Sequence, residues 1–165
     1  MRNIVRKRRT GWSRRSLSAG IGAVIAENAS IAGASGGCQA EIGSASAMAA
    51  GGLAYLRGGD AGGIERSGIC PLKNMLGLTC DPVCGLVEVP CIMEFAGAVI
   101  VRRVSVQMAM AGIKSAIPAD EVVRFPCRIG NALPAALRET SEGGLAVTES
   151  ARKIAERMGN KEHIA

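Results

Sequence analysis

The chain has almost no aromatic side chains. Tryptophan, tyrosine and phenylalanine together make 2% of its 165 residues, while apolar residues make 48%. A core without rings must be filled by small side chains on closely packed backbones. That suits helices crossing at short distance better than a sheet sandwich, which favours β-branched and aromatic residues. Histidine is scarcer still, with His163 the single one. This excludes a zinc site of several histidines and gives a Ser-His-Asp triad little to stand on. No run reaches the roughly 20 apolar residues of a membrane span. Residues 19–26 form only a short, glycine-containing apolar run closed by Glu27-Asn28. With the basic residues before it, this run imitates a signal peptide without the strong apolar centre of one.

Acids are absent from the first fifteen residues, which carry Arg2, Arg6, Lys7, Arg8, Arg9, Arg14 and Arg15. Removing those seven charges from the net +6 leaves −1 for the rest of the chain. The domain itself is therefore not basic. The head is expected to be a solvated, poorly ordered terminus, and nucleic-acid binding is not expected, because no Lys/Arg stripe recurs downstream. The length suits one domain with a real core rather than two. We expect a basic head over 1–18, an incomplete helical domain over 19–158 and a tail over 159–165, in an all-α fold with glycine-rich loops.

What the chain does have is cysteine. Three thiols fall in the stretch Cys80-Asp81-Pro82-Val83-Cys84-Gly85-Leu86-Val87-Glu88-Val89-Pro90-Cys91. Its two prolines and its glycine prevent one continuous helix and leave a loop that can aim thiols at a point. A fourth thiol, Cys38, follows Gly36-Gly37 and opens the best helical pattern in the chain, residues 39–56. A helix N-terminus lowers a thiol's pKa, which favours a thiolate ligand. Cys70 and Cys127 have no partner at a ligand spacing, and Cys70 reads as a small buried hydrophobe. Thiolates suit iron–sulfur clusters, zinc or copper(I). Cys80 and Cys84 give one zinc-knuckle spacing without a second, so spacing favours an iron–sulfur cluster while zinc and no metal stay open. Cysteines of this kind fit a reduced compartment, and the protein is read as cytoplasmic.

The helical pattern continues with gaps. Residues 60–78 are a weaker candidate, interrupted at Pro71, and 92–113 a strongly apolar one with Arg102-Arg103 at its middle. Those arginines are expected to snorkel to the surface. Pro126 is expected to break 121–131, and a polar helix is expected over 148–158. In the loop 27–37, Asn and Ser side chains serve turn chemistry, a ligand-side role being the other reading.

The residues themselves resemble a known family. Asn28-Ala29-Ser30-Ile31-Ala32-Gly33-Ala34-Ser35-Gly36-Gly37-Cys38-Gln39-Ala40-Glu41-Ile42-Gly43 is similar to the first cysteine motif of the iron–sulfur L-serine dehydratase alpha chain. Lys73-Asn74-Met75-Leu76-Gly77-Leu78-Thr79-Cys80-Asp81-Pro82-Val83 and the run from Gly85 to Cys91 resemble its second and third. Ala111-Gly112-Ile113-Lys114-Ser115, Ile117-Pro118, Asp120-Glu121-Val122, Ala132-Leu133-Pro134, Leu137-Arg138-Glu139-Thr140 and Glu142-Gly143-Gly144-Leu145-Ala146 continue the likeness in order.

The resemblance implies a helical domain holding a 4Fe-4S cluster, without pyridoxal phosphate, through Cys38, Cys80 and Cys91. Cys84 falls where the family carries a small residue and is not assigned as a ligand. The implied reaction converts L-serine to pyruvate and ammonia, with the open iron as Lewis acid on the hydroxyl. The implied partners are L-serine and a beta chain or domain, with self-association left open. The catalytic base is not named by the resemblance. Glu41 reads equally as support for the site and as a first-turn helix acid. The family chain extends upstream of this start, and the Arg-rich head does not resemble it. Residues 92–107 keep the family's length but not its sequence, Met93-Glu94-Phe95 standing where the family has a Lys-Arg-Asn run. Pro71 and Pro126 fall where the family expects helix. A partial or decayed, non-catalytic copy is the alternative reading.

Overall fold

The computed structural model describes residues 11–159. The arginines and lysine at positions 2–9, and His163, lie outside the described residues. Seven α-helices and no strands make up the regular structure there, together with three short 3₁₀ turns. The expected all-α class is the one observed.

Helix α3 (Cys38–Leu56) is the axis of the fold. It packs against α1 (Gly11–Asn28), α4 (Ala61–Asn74) and α5 (Cys91–Met110). Its alanines are strong helix formers, and they present no bulk where neighbours must come close. Ala47, Ala50 and Ala54 are fully buried. The helix ends in a Schellman arrangement, the Gly59 N–H donating to the Ala54 carbonyl (2.9 Å) and Gly58 to Tyr55 (3.1 Å). Gly58 takes φ +92°, a conformation that a side chain would strain. Asp60 then caps α4 by accepting from the Gly63 N–H at 2.7 Å.

Two expectations about proline fail. Helix α4 runs unbroken through Pro71, and α6 (Ala119–Ala132) through Pro126. An interior proline costs about 3 kcal/mol or more, through a lost hydrogen bond and a ring clash. Here both rings are buried and fill core space. In α6 the buried residues are Val122, Pro126 and Gly130, four apart and hence on one face. A Cβ on Gly130 would lie 2.7 Å from the Gly36 Cα, so α6 touches the backbone of the short helix α2 (Gly33–Gly36). Tertiary packing overrides the local preference.

The head also differs from expectation over the residues described. Residues 11–18 belong to α1, so this part of the expected head is helical. The helix α7 (Glu149–Gly159) matches the polar terminal helix, with Lys153 Nζ and Glu149 paired at 2.6 Å. Arg103 is exposed, as expected of a snorkelling side chain, whereas Arg102 is half-buried and lines a groove of about 210 Å³ between α3 and α5. No helix among the described residues is long and apolar enough to cross a membrane.

Candidate functional site

Cys38 is the first residue of α3 and Cys91 the first of α5, while Cys80 lies in the irregular segment between α4 and α5. All three are buried. Cys38 and Cys80 pack in one core cluster with Ile42, Met75 and Ala98. The Cys38 thiol contacts the Cys80 sulfur, and Cys91 is near enough to act electrostatically on Cys80. The other cysteines stay apart from this group. Cys84 is exposed with φ 57°, and Cys70 and Cys127 are half-buried on α4 and α6. Each of those two accepts from an asparagine one turn on, Asn74 at 3.4 Å and Asn131 at 3.8 Å. Cys70 is thus less enclosed than expected. No disulfide joins any of the six.

Backbone pairing holds Cys80 in place. Its N–H donates to the Leu137 carbonyl (2.9 Å), and its carbonyl accepts from the Glu139 N–H (2.7 Å). Next to it, Asp81 is buried and accepts from the Leu145 N–H (2.5 Å). The segment 135–147 therefore clamps the thiol loop from outside.

Gln39 does the same from inside, and only 1% of its surface is exposed. Its side-chain amide donates to the carbonyls of Gly36 (2.9 Å) and Pro126 (3.2 Å), and its oxygen accepts from the Gly77 N–H (2.8 Å). One side chain ties α2, α6 and the turn before Cys80 to the start of α3. The sequence offers one faint signal for this, a long polar residue at the opening of an otherwise small and apolar helix.

Gly33 brings the loop 27–37 to the thiols. A Cβ there would stand 3.2 Å from Glu41 Oε2, 3.3 Å from Glu139 Oε2 and 3.4 Å from Cys80 Sγ. Its polar side chains make local hydrogen bonds, and one of its glycines lies against the thiols. The Ser30 and Ser35 hydroxyls bond each other and Asn28 donates back to the Val24 carbonyl, while Gly33 faces the site.

The site is rich in acids. The Cys38 thiol is pushed far above its ordinary pKa, chiefly by burial, then by Cys80 and by the Glu94 carboxylate. This reverses the expected effect of the helix dipole, which burial outweighs. Burial also raises Cys80, with Glu139, Cys91 and Glu41 adding to the rise against a lowering contact from Cys38. Cys91 is raised by burial, then by Glu94, with Asp81 and Glu41 adding less. Glu94 is itself raised, by burial first, against a lowering hydrogen bond from the Cys38 thiol. Sequence reasoning found the three thiols but not Glu94 or Glu139 as their neighbours.

Among the described residues no three His, Cys, Asp or Glu side chains are gathered tightly enough for a single metal ion. A cluster of several irons does not demand that, because each thiolate binds a different iron. The donor set, a pair of neighbouring buried thiols and a third within electrostatic reach of one of them, suits such a group. A cavity of about 480 Å³ is an apolar space between α1, α3, α4 and α6 and shares no residue with the thiols.

A helical domain in which the buried Cys80 lies beside Cys38 and within electrostatic reach of the buried Cys91 is thus the class of protein in hand. The model of the serine dehydratase alpha chain family matches residues 15–146, and the chain belongs to that family. It is 49% identical over 138 residues to the probable L-serine dehydratase alpha chain of Bacillus subtilis, covering 84% of this chain and 46% of the relative. The L-serine dehydratase alpha chain of Peptoniphilus asaccharolyticus is 47% identical, over 83% of this chain and 47% of its own. L-serine dehydratase 1 of Escherichia coli is 41% identical, over 82% and 30%. The chain spans about half the length of the alpha chains it matches.

Proposed function

We propose that Cys38, Cys80 and Cys91 hold a 4Fe-4S cluster, and that the chain serves as the alpha portion of an L-serine ammonia-lyase. The observation that supports this reading is the burial of three thiols from separate segments, Cys80 beside Cys38 and within electrostatic reach of Cys91, with Cys70, Cys84 and Cys127 less buried. When bound, the cluster supplies Lewis acidity toward the substrate hydroxyl at the iron that no cysteine holds. The protein's part is to fix the thiols, through Gln39 on one side and the segment 135–147 on the other. Gly33 leaves open the space next to Cys80 that any side chain would fill. Glu41 and Glu139 border that space and are the carboxylates able to take the α-proton of a bound amino acid. Proton loss and departure of the hydroxyl leave an enamine whose hydrolysis gives pyruvate and ammonia. The chemistry needs no pyridoxal phosphate. The reduced thiols fit a cytoplasmic protein, and the beta chain or domain is the proposed partner.

Anaerobic reconstitution tests the reading. Brown protein with near-stoichiometric iron and sulfide is expected from the chain and from Cys84→Ser. Cys38→Ser, Cys80→Ser and Cys91→Ser are expected to lose most of both. Colourless chain after reconstitution would overturn the proposal.

A second reading has its own support. One face of α5 is apolar and bare, including Ile92, Met93, Val99 and Ile100. A domain left this uncovered fits a partial copy that holds a cluster without turnover. Pyruvate release from L-serine, assayed with a beta partner added, separates the two. A full cluster with no pyruvate would favour the second.

A further inference from the structure

Helix α4 carries two cations toward α5. Arg66, Cys70 and Lys73 are spaced by four and three residues, so they share one side of the helix. A third cation, Lys114, follows the end of α5. All four residues line one hollow of about 210 Å³, together with Asn74 and Ser115, and no Asp or Glu lines it.

No acid answers these three charges. The only ion pair among the described residues is Lys153 with Glu149. Glu65 is exposed on a neighbouring hollow that Arg66 and Lys114 also border, and it pairs with neither. Asp60, close by in sequence, is taken up as the cap of α4. The groups that do touch the cations are neutral. Arg66 Nη2 donates to the Ala109 carbonyl at a limiting 3.5 Å, and Arg66 Nε is buried with no hydrogen-bond partner. Lys73 Nζ donates to the Ser115 hydroxyl, which donates to the Ile117 carbonyl. Those bonds tie the loop after α5 to α4 but leave the charge in place. Arg66 and Lys73 are both half-buried, where a charge without a counter-charge is less favourable than in open water.

We infer that this hollow binds a small phosphate dianion, free or as the ester of a small molecule. Three cations match a dianion better than a single carboxylate. Arginine offers phosphate its planar fork, and lysine offers a point charge. Lys73 has three donors and gives one to Ser115, so two remain for the ligand. The volume lies below the roughly 300–1,000 Å³ of drug-sized sites, which favours a small ion or ester over a nucleotide. This is not the thiol site. The hollow shares no residue with the core cluster around Cys38 and Cys80. Ser105, its lining residue on α5 nearest Cys91, lies fourteen residues beyond that thiol, about 21 Å along the helix. The inference therefore does not rest on the cluster reading.

Calorimetric titration of the full chain with sodium phosphate, at low and fixed ionic strength, tests it. One saturable site is expected, and no saturable binding would overturn the inference. Lys114→Gln changes an exposed side chain and is expected to weaken binding about 10-fold, the low end for a hydrogen bond to a charged group. Lys73→Gln is expected to weaken it at least as much; should that variant fail to fold, Lys114→Gln decides alone. Both variants keep the basic residues at positions 2–9. Unchanged binding in Lys114→Gln would thus give the ion to that head or elsewhere and overturn the site. Acetate is expected to bind more weakly than phosphate, and equal affinity would overturn the preference for a dianion. Glycerol phosphate separates the two sources. Tighter binding than inorganic phosphate would assign an organic ester to the site, and weaker binding would assign the free ion.

Discussion

Helices α3 and α5 begin alike and end up in opposite surroundings. They are 19 and 20 residues long, and each opens on a cysteine proposed to hold the cluster. Twelve residues of α3 are buried, against five of α5. Yet α5 has the larger apolar side chains, with Ile92 59%, Met93 76% and Ile100 59% exposed. Burial here follows position rather than hydrophobicity. Small residues let α3 take three neighbours at close range, and a helix so enclosed can fix the thiol at its first residue. Helix α5 reaches the same site from the edge of the domain, with one side packed and one side bare.

This contrast sets the order of expected effects under denaturant. The largest belongs to the opening of α3. Gln39→Ala removes the partners of the Gly36 and Pro126 carbonyls and of the Gly77 N–H. It is expected to lower unfolding free energy by about 3 kcal/mol, measured by urea titration of helical circular dichroism. A loss near zero would mean that Gln39 does not bind the site together.

Next is overpacking at the centre of α3. Ala50 is fully buried in the cluster with Ala54 and Val106, against Leu53 and Ile64. Ala50→Leu is expected to cost about 2 kcal/mol in the same titration, because extra methylenes in a filled core force neighbouring side chains off their rotamers. Tolerance of leucine there would erase the difference drawn between the two helices.

On α5 the sign reverses. Gly97 has nothing within 4 Å of where a Cβ would stand. Gly97→Ala is expected to raise stability by about 0.5–1 kcal/mol through helix propensity alone, seen as a higher midpoint of unfolding. A loss would reveal a neighbour packed on that side of α5. The smallest effect is expected at Ile100. Ile100→Glu should leave stability within about 0.5 kcal/mol, since the side chain lies mostly in solvent. Sedimentation of the same variant tells whether the bare face drives self-association. A drop in sedimentation coefficient would show that a second copy had covered it.

Much of the fold is legible in the amino-acid pattern. The helix at 39–56 is plain because alanine and leucine recur at the helical repeat and a glycine pair follows, and the structure has it as Cys38–Leu56. The apolar run from 92 onward is plain for a similar reason, and it appears as Cys91–Met110. The prolines mislead. Pro71 and Pro126 carry a strong local signal for breakage, and a local reading gives no weight to the core space their rings occupy. The basic head misleads too, since Arg14 and Arg15 lie within α1 and a run of arginines looks solvated whether or not it is helical.

The site divides in the same way. Cysteine is rare and chemically singular, so Cys38, Cys80 and Cys91 can be picked out by motif, and Cys84 set aside, without knowing where any of them lies. Acids are common, and nothing in the spacing of Glu94 or Glu139 separates them from surface charges. The helical class and the family follow from the sequence alone, as does the proposal of the three thiols, because they rest on local pattern and on residue types with few alternative uses. Packing in three dimensions was needed to settle the rest. It has Gln39 bind three segments together, keeps the prolines inside their helices, and sets the Glu94 carboxylate against the Cys38 thiol. Those outcomes depend on which segments meet, and the free energy of meeting comes from burial and hydrogen bonding across residues far apart in the chain.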